Sequence, residues 1–336
     1  MIRIGLCGFG GLGHVHADSL CRFEDVRIVA VCDKAPDRLT GKEVATNLPG
    51  HEAHFDIRTA ATYTDLRAML RRERPDVIVS ALPTDIHADY AVLAMKAGCH
   101  VFSEKPMALT VAQCDRMLRA RDRYKRELAI GQCLRFWPEY EALAEAVRTG
   151  VHGRLRSLSM ERIGGYCNWS ADNWFNDAGR SGGAILDLHL HDVDWALHAL
   201  GRPASVYAAG RVGQTGGIDD VTAVWEYSDN GPVVTLRGSW LHAQFTMNFR
   251  ALFERAVLEY GIAPEPALRK LDPAGAPAER IPVETGSAYV RELRYFLDCV
   301  AGKHANTRAA AESTRDSVAM VYTEHRAIKT GRVVRL

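Results

Sequence analysis

The 336-residue sequence predicts an α/β fold: an N-terminal doubly wound parallel sheet, then an α+β domain with a large, open, mostly antiparallel sheet. Three observations carry this expectation. Short apolar runs alternate with helical patterns through the first third of the chain, a glycine-rich turn follows the first run, and from about residue 154 longer β-type runs take over. The length exceeds what one hydrophobic core usually fills, so two domains are expected, 1–125 and 126–336, with the C-terminal helices packing back on the first.

Ile2 to Cys7 is the first apolar run and ends in Gly8; Val26 to Cys32 is the second and ends in Asp33. A short helix, His14 to Arg22, lies between them. Helical stretches Thr64 to Arg72 and His87 to Ala97 precede runs Val77 to Leu82 and His100 to Ser103, and Val111 to Arg123 precedes Glu127 to Cys133. Short connections of this kind imply parallel strands with right-handed crossovers. Beyond them, Leu155 to Ile163, Ser205 to Val212, Asp220 to Tyr227, Val233 to Trp240 and Thr246 to Phe253 read as strands. Gly216-Gly217 and Asp229-Asn230-Gly231 supply turns. One helix, Gly183 to Ala199, interrupts the strands; Ala263 to Pro282 reads as an irregular surface connection, and helices Ala288 to Ala301 and Ala309 to Ile328 close the chain.

Lys and Arg total 42 against 41 Asp and Glu, so no net field favours nucleic acid or an anionic membrane, and a small-molecule partner is expected. No apolar stretch approaches the roughly 18 residues of a membrane span, and Met1 leads straight into a strand-like run. A cytoplasmic location is therefore expected. The eight cysteines are scattered without a CxxC pair and read as buried, reduced thiols.

Gly8-Phe9-Gly10-Gly11-Leu12-Gly13 matches GxGxxG directly after a strand and before a helix. Gly8 suits a tight turn, Gly10 admits a pyrophosphate against the backbone, and Gly13 lets the helix pack close to the sheet. Asp33 closes the second strand, where a carboxylate accepts the hydroxyls of an adenosine ribose. The pattern is that of a Rossmann dinucleotide site. A carboxylate there favours NAD, while Lys34 and Arg38 keep NADP open. The end of the third run, Ala81-Leu82-Pro83, should face the same crevice, so Phe9, Leu12, Lys34, Arg38, Ala81, Leu82 and Pro83 join the glycines and Asp33 as cofactor-binding candidates.

Ser103-Glu104-Lys105-Pro106 ends the fourth run and puts a lysine where it could hydrogen-bond a reacting oxygen. A solvated lysine near a loop is the plainer alternative. The block Gly182 to Asp194 contains Asp187 and His191, four apart and on one face if helical; a carboxylate beside an imidazole raises its basicity and suits it to take a hydroxyl proton. His189, His191 and Asp194 could instead be metal ligands, but His189 and His191 point to different sides of a helix, so no metal is expected; packed core histidines are a third reading. Arg162, Tyr166 and Trp174 suit a hydroxyl-rich ring and equally suit surface or core.

Together, the Gly8 to Gly13 loop, Asp33, Pro83-Thr84-Asp85-Ile86-His87, the run Gly98 to Pro106 and the Gly182 to Asp194 block resemble the Gfo/Idh/MocA oxidoreductases over most of the chain. That resemblance implies a Rossmann domain joined to an α/β domain whose open sheet often forms a dimer or tetramer interface. It implies hydride transfer between a nicotinamide and a hydroxyl carbon of a sugar, inositol or related polyol. It also implies catalytic roles for Lys105, Asp187 and His191, all three near the substrate, and cofactor contacts from His87, Glu104, Lys105 and Arg135, the last also near the substrate. His189 departs from the glycine many members carry at that position. Two other functions keep the fold: redox-neutral glycoside cleavage with tightly bound NAD, and a non-catalytic dinucleotide-sensing regulator.

Overall fold

The computed structural model describes residues 1–41, 55–262 and 266–336, so the first three residues of the expected connection Ala263 to Pro282 lie outside the described residues. Two compact units divide the chain. The first comprises Met1–Gln132, Trp169–Trp174 and Ser287–Arg315; the second comprises Cys133–Asn168, Phe175–Gly286 and Asp316–Leu336.

The first unit alternates β1 (Ile2–Cys7), α1 (Gly11–Leu20), β2 (Val26–Cys32), β3 (Ala61–Tyr63), α2 (Leu66–Glu73), β4 (Val77–Ser80), α3 (His87–Lys96), β5 (His100–Glu104), α4 (Val111–Tyr124) and β6 (Leu128–Gly131). Its six strands run parallel in the order β3-β2-β1-β4-β5-β6. Both faces of such a sheet are covered, which explains the unbroken burial of β4 and β6. β3 escaped the sequence reading because three residues are too few to show a period. A capping box starts α4: Thr110 and Gln113 each accept the other's backbone N–H, at 3.2 and 3.0 Å. Cys114, Met117 and Ala120 form the buried stripe of α4.

The second unit contains α5 (Pro138–Thr149), β7 (Leu155–Ile163), α6 (Ala178–Ser181), α7 (Gly183–Asp187), α8 (Leu190–Leu200), β8 (Ser205–Val212), β9 (Ile218–Glu226), β10 (Val233–Ser239), β11 (Thr246–Phe253), β12 (Val257–Tyr260), β13 (Arg269–Leu271) and β14 (Glu279–Arg280). The chain then enters α9 (Ala288–Val300), α10 (Ala311–Thr330) and β15 (Val334–Arg335), with the last unit boundary inside α10. Nine strands form one sheet in the order β14-β13-β12-β11-β7-β10-β9-β8-β15, and every pairing is antiparallel except β7 with β10. One face of this sheet is packed and the other open, as the alternating burial of β9 records. Tyr140 meets Trp195, Phe249 and Tyr260 edge to face in the core, its ring 5.1 to 6.0 Å from the other three.

Two expectations are corrected. The connection through Pro282 contains strands β13 and β14. The single helix Gly183 to Ala199 is two helices, because the His189 N–H reaches back five residues to the Ala184 carbonyl at 2.9 Å and widens the turn. The Asp229-Asn230 turn holds, both residues being left-handed (φ 56° and 57°) as a tight hairpin between twisted strands requires. Seven cysteines are buried; Cys21 is the exposed exception. Among the described residues no helix is long and apolar enough to cross a membrane.

Candidate dinucleotide site and catalytic residues

The order of the parallel sheet reverses at β1 and β4, the point where sheets of this kind take ligands beyond the carboxyl ends of their strands. Cys7 pairs with both Cys32 and Ser80, so Gly8, Asp33 and Ala81 stand one residue past three adjacent strand ends. Gly8 has φ +85°, and a Cβ there would lie 2.3 Å from the Ala81 carbonyl oxygen; a Cβ on Gly13 would lie 2.2 Å from the carbonyl oxygen of Gly8. Only glycine fits at either position. Gly10 begins α1 without a side-chain cap, leaving the helix N-terminus to an anion.

Asp33 is buried at this edge. Its oxygens accept the Phe9 N–H at 2.7 Å and the Ala35 N–H at 2.9 Å, and Arg38 Nη1 lies 3.4 Å from Oδ2. A carboxylate has about four lone-pair sites, so capacity for a ribose hydroxyl remains. Lys34 pairs on the surface with Asp172. Phe9 is buried, its ring 4.0 Å from that of His14, while Leu12, Ala81, Leu82 and Pro83 are half-buried. The tight glycine loop, the uncapped helix and the carboxylate fit a dinucleotide.

Two expected cofactor contacts take other roles. His87 is buried, with Nε2 2.7 Å from the Leu82 carbonyl and Nδ1 2.8 Å from that of Pro106. It braces the ends of β4 and β5 and offers no nitrogen to a ligand; both bonds form only when the ring is protonated, a state its burial disfavours. Glu104 turns inward, 2.7 Å from His16 Nε2, and its second oxygen accepts the Lys105 N–H at 3.1 Å. Lys105 itself stands half-buried just past β5, before a cis peptide to Pro106.

In the second unit, Asp187 ends α7 and is buried, and His191 follows one turn later in α8 and is half-buried. Leu188 and His189 between them keep right-handed helical dihedrals (φ −94°, ψ −54° and φ −65°, ψ −30°). Cys133 Sγ lies 4.0 Å from His191 Nδ1, a neighbour the sequence did not suggest.

Of the four other residues expected near the substrate, Arg135 and Arg162 are buried and Tyr166 and Trp174 half-buried. Arg135 forms a two-pronged pair with Asp194 (2.7 and 2.6 Å), which also accepts the Ser317 hydroxyl at 2.7 Å. Arg162 is buried against Asp192, 3.1 Å away. Both guanidiniums therefore hold the fold, since an unpaired charge in such a place is costly. The Tyr166 hydroxyl donates to Asp219 at 3.1 Å and accepts the Gln214 N–H at 2.8 Å, which secures a loop. Trp174 is half-buried in the short segment that belongs to the first unit.

His189 is fully buried, 2.9 Å from a Glu324 oxygen whose partner oxygen accepts the Trp225 indole N–H at 2.8 Å. It packs. Sequence spacing could not reveal its partner 135 positions away.

Comparison with known proteins matches these observations. Residues 2–132 match the GFO_IDH_MocA model, described as an oxidoreductase family with an NAD-binding Rossmann fold, and residues 140–259 match the GFO/IDH/MocA C-terminal domain. The chain belongs to the Gfo/Idh/MocA oxidoreductase family. It is thus an oxidoreductase with an NAD(P)-binding Rossmann domain. A D-glucoside 3-dehydrogenase of Escherichia coli (strain K12) is 27% identical, with 90% of this chain and 88% of that protein covered. A myo-inositol 2-dehydrogenase of Thermotoga maritima is 29% identical over 67% of this chain and 65% of its own. Among solved structures, the WlbA dehydrogenase from Bordetella pertussis, in complex with NADH and UDP-GlcNAcA, shares the fold with a TM-score of 0.80 at 21% identity, covering all of this chain and 98% of its own.

Proposed function

We propose that this chain oxidises, and in reverse reduces, a hydroxyl carbon of a sugar, inositol or related cyclic polyol, with NAD as the preferred partner. The observation that carries the reading is Lys105, just past β5 on the carboxyl edge of the same parallel sheet in which the ends of β1 and β2 hold the Gly8–Gly13 cradle and Asp33. The names of the D-glucoside and myo-inositol dehydrogenases support the substrate class.

When bound, the nicotinamide accepts or returns the hydride. The Lys105 ammonium hydrogen-bonds the reacting oxygen and stabilises its developing negative charge. His191 takes the hydroxyl proton as general base, and Asp187, one turn earlier, orients it. Asp33 receives the adenosine ribose and disfavours a 2′-phosphate. The first unit serves the dinucleotide and the second serves substrate and assembly. Tyr207, Val233 and Leu252, each more than 40% exposed, share the open face of the nine-stranded sheet, which suits a homodimer or homotetramer.

The test is absorbance at the NADH wavelength with NAD or NADP and a panel of inositols, aldoses, anhydrosugars and glycosides. Reduction of NAD by a cyclic polyol or sugar is expected, and Lys105→Met and His191→Asn should each lower turnover about 10²- to 10⁴-fold with dinucleotide binding intact. No absorbance change across the panel, or full turnover in both variants, overturns the reading.

A further inference from the structure

Among the buried titratable side chains of the first unit are three, on α1, β5 and α9, that hydride transfer does not require. His16 on α1, Glu104 at the end of β5 and Glu292 on α9 are 0%, 4% and 2% exposed. His16 Nε2 and Glu104 Oε1 are 2.7 Å apart, and Glu104 Oε2 accepts the main-chain N–H of Lys105 at 3.1 Å. The imidazole–carboxylate pair is therefore fastened to the backbone of the residue assigned to the reacting oxygen. Gly131 leaves the room for it, since a Cβ there would approach Glu104 Oε1 to 3.0 Å.

Glu292 stands differently. Neither of its oxygens has a hydrogen-bond partner, and His16 Nδ1 has none either. Burial first, and the nearby Glu104 charge second, hold the Glu292 carboxyl well above the usual range. The packing around α9 offers little to offset a second negative charge. α1 carries His14, His16 and Asp18, of which Asp18 accepts the Phe55 N–H at 3.1 Å; β5 carries His100, whose Nδ1 accepts the Glu127 N–H at 2.9 Å, and Glu104; β6 carries no titratable group. On α9 itself, Arg294 is engaged by Asp25 and Asp298, Tyr289 meets the His16 ring at 6.1 Å, and Arg291, Tyr295 and the buried Cys299 complete the set.

We propose that His16, Glu104 and Glu292 form a positioning device for Lys105, in which an uncharged Glu292 leaves the His16–Glu104 bond to hold the Glu-Lys-Pro turn and a charged Glu292 displaces it. The proposal rests on the reading of Lys105 as the group at the reacting oxygen. Its physical basis is that two carboxylates in a low-dielectric interior resist sharing two negative charges. The sign follows: the folded pKa of Glu292 lies above its unfolded value of about 4.3. The stability of the neutral form is complete below that value and is lost as pH rises through the raised one.

The experiment compares the full-length protein with E292Q and E292M, the second preserving side-chain length if the amide disturbs folding. Melting temperature is measured from pH 5 to 9, together with the pH profile of kcat on the best polyol or sugar of the panel and the KM for NAD. The wild type should lose melting temperature towards alkaline pH relative to both variants. The alkaline limb of kcat should move up by about one pH unit or more in the variants, with KM for NAD unchanged. Wild-type behaviour of both variants in both readouts overturns the proposal. A flattened melting profile with an unmoved kcat profile overturns the positioning role, leaving a cluster that only supports the fold. Wild-type turnover by K105M overturns the reading of Lys105 itself, and is distinguished by leaving the melting difference between wild type and E292Q in place.

Discussion

Gly238 has no room for a side chain against His189: a Cβ on Gly238 would lie 2.5 Å from the Cβ of His189 and 3.0 Å from its Cα. His189 on the helical side is thus accommodated by a glycine on β10. A double-mutant cycle checks this. Gly238→Ala should cost about 1–3 kcal/mol in the wild type by overpacking, and clearly less in a His189→Gly background, where only the close approach to the Cα of residue 189 remains. Equal costs in both backgrounds, measured by urea unfolding, would show that the two positions are not coupled.

Gly8→Ala should damage the dinucleotide loop. At φ +85° the alanine is strained, and its Cβ, 2.3 Å from the Ala81 carbonyl oxygen, forces β1 and β4 apart at their ends. Binding of NAD, followed by fluorescence titration, should weaken by about tenfold or more, while the rest of the unit stays folded by circular dichroism.

Asp33 and Arg38 should set the choice between the two dinucleotides. Their separation of 3.4 Å means that removing the acid frees the guanidinium for a 2′-phosphate. Asp33→Ser is expected to lower kcat/KM for NAD and raise it for NADP, each by about tenfold, the scale of one charge-assisted hydrogen bond. Arg38→Ala should depress NADP use alone. An unchanged ratio in both variants would assign selectivity elsewhere.

Asp192→Ala should strand the buried Arg162 guanidinium, whose partner oxygen lies 3.1 Å away. A loss of about 3–5 kcal/mol in unfolding free energy is expected, against a much smaller effect when Arg162→Met accompanies it. Equal losses in the single and double variants would show that the charge is not what destabilises.

The sequence by itself determined the parts whose signals are local. The GxGxxG loop, Asp33 and the Glu-Lys-Pro turn each sit at the end of a strand legible from its own apolar run, and the open sheet was legible from longer runs of β character such as Thr246–Phe253 and the turn residues between them. Short elements were lost, as at Ala61–Tyr63, because three residues carry no period. Tertiary structure alone decided where the polar side chains of that alphabet point. Arg162 and Arg135 had the chemistry of substrate ligands, yet each meets a carboxylate inside its unit, Asp192 and Asp194, and a buried charge must be paired. Glu104 and His87 lay in the right motif but faced inward, to His16 and to two backbone carbonyls. Which way a polar group turns depends on partners tens to hundreds of residues away, and no local spacing encodes them.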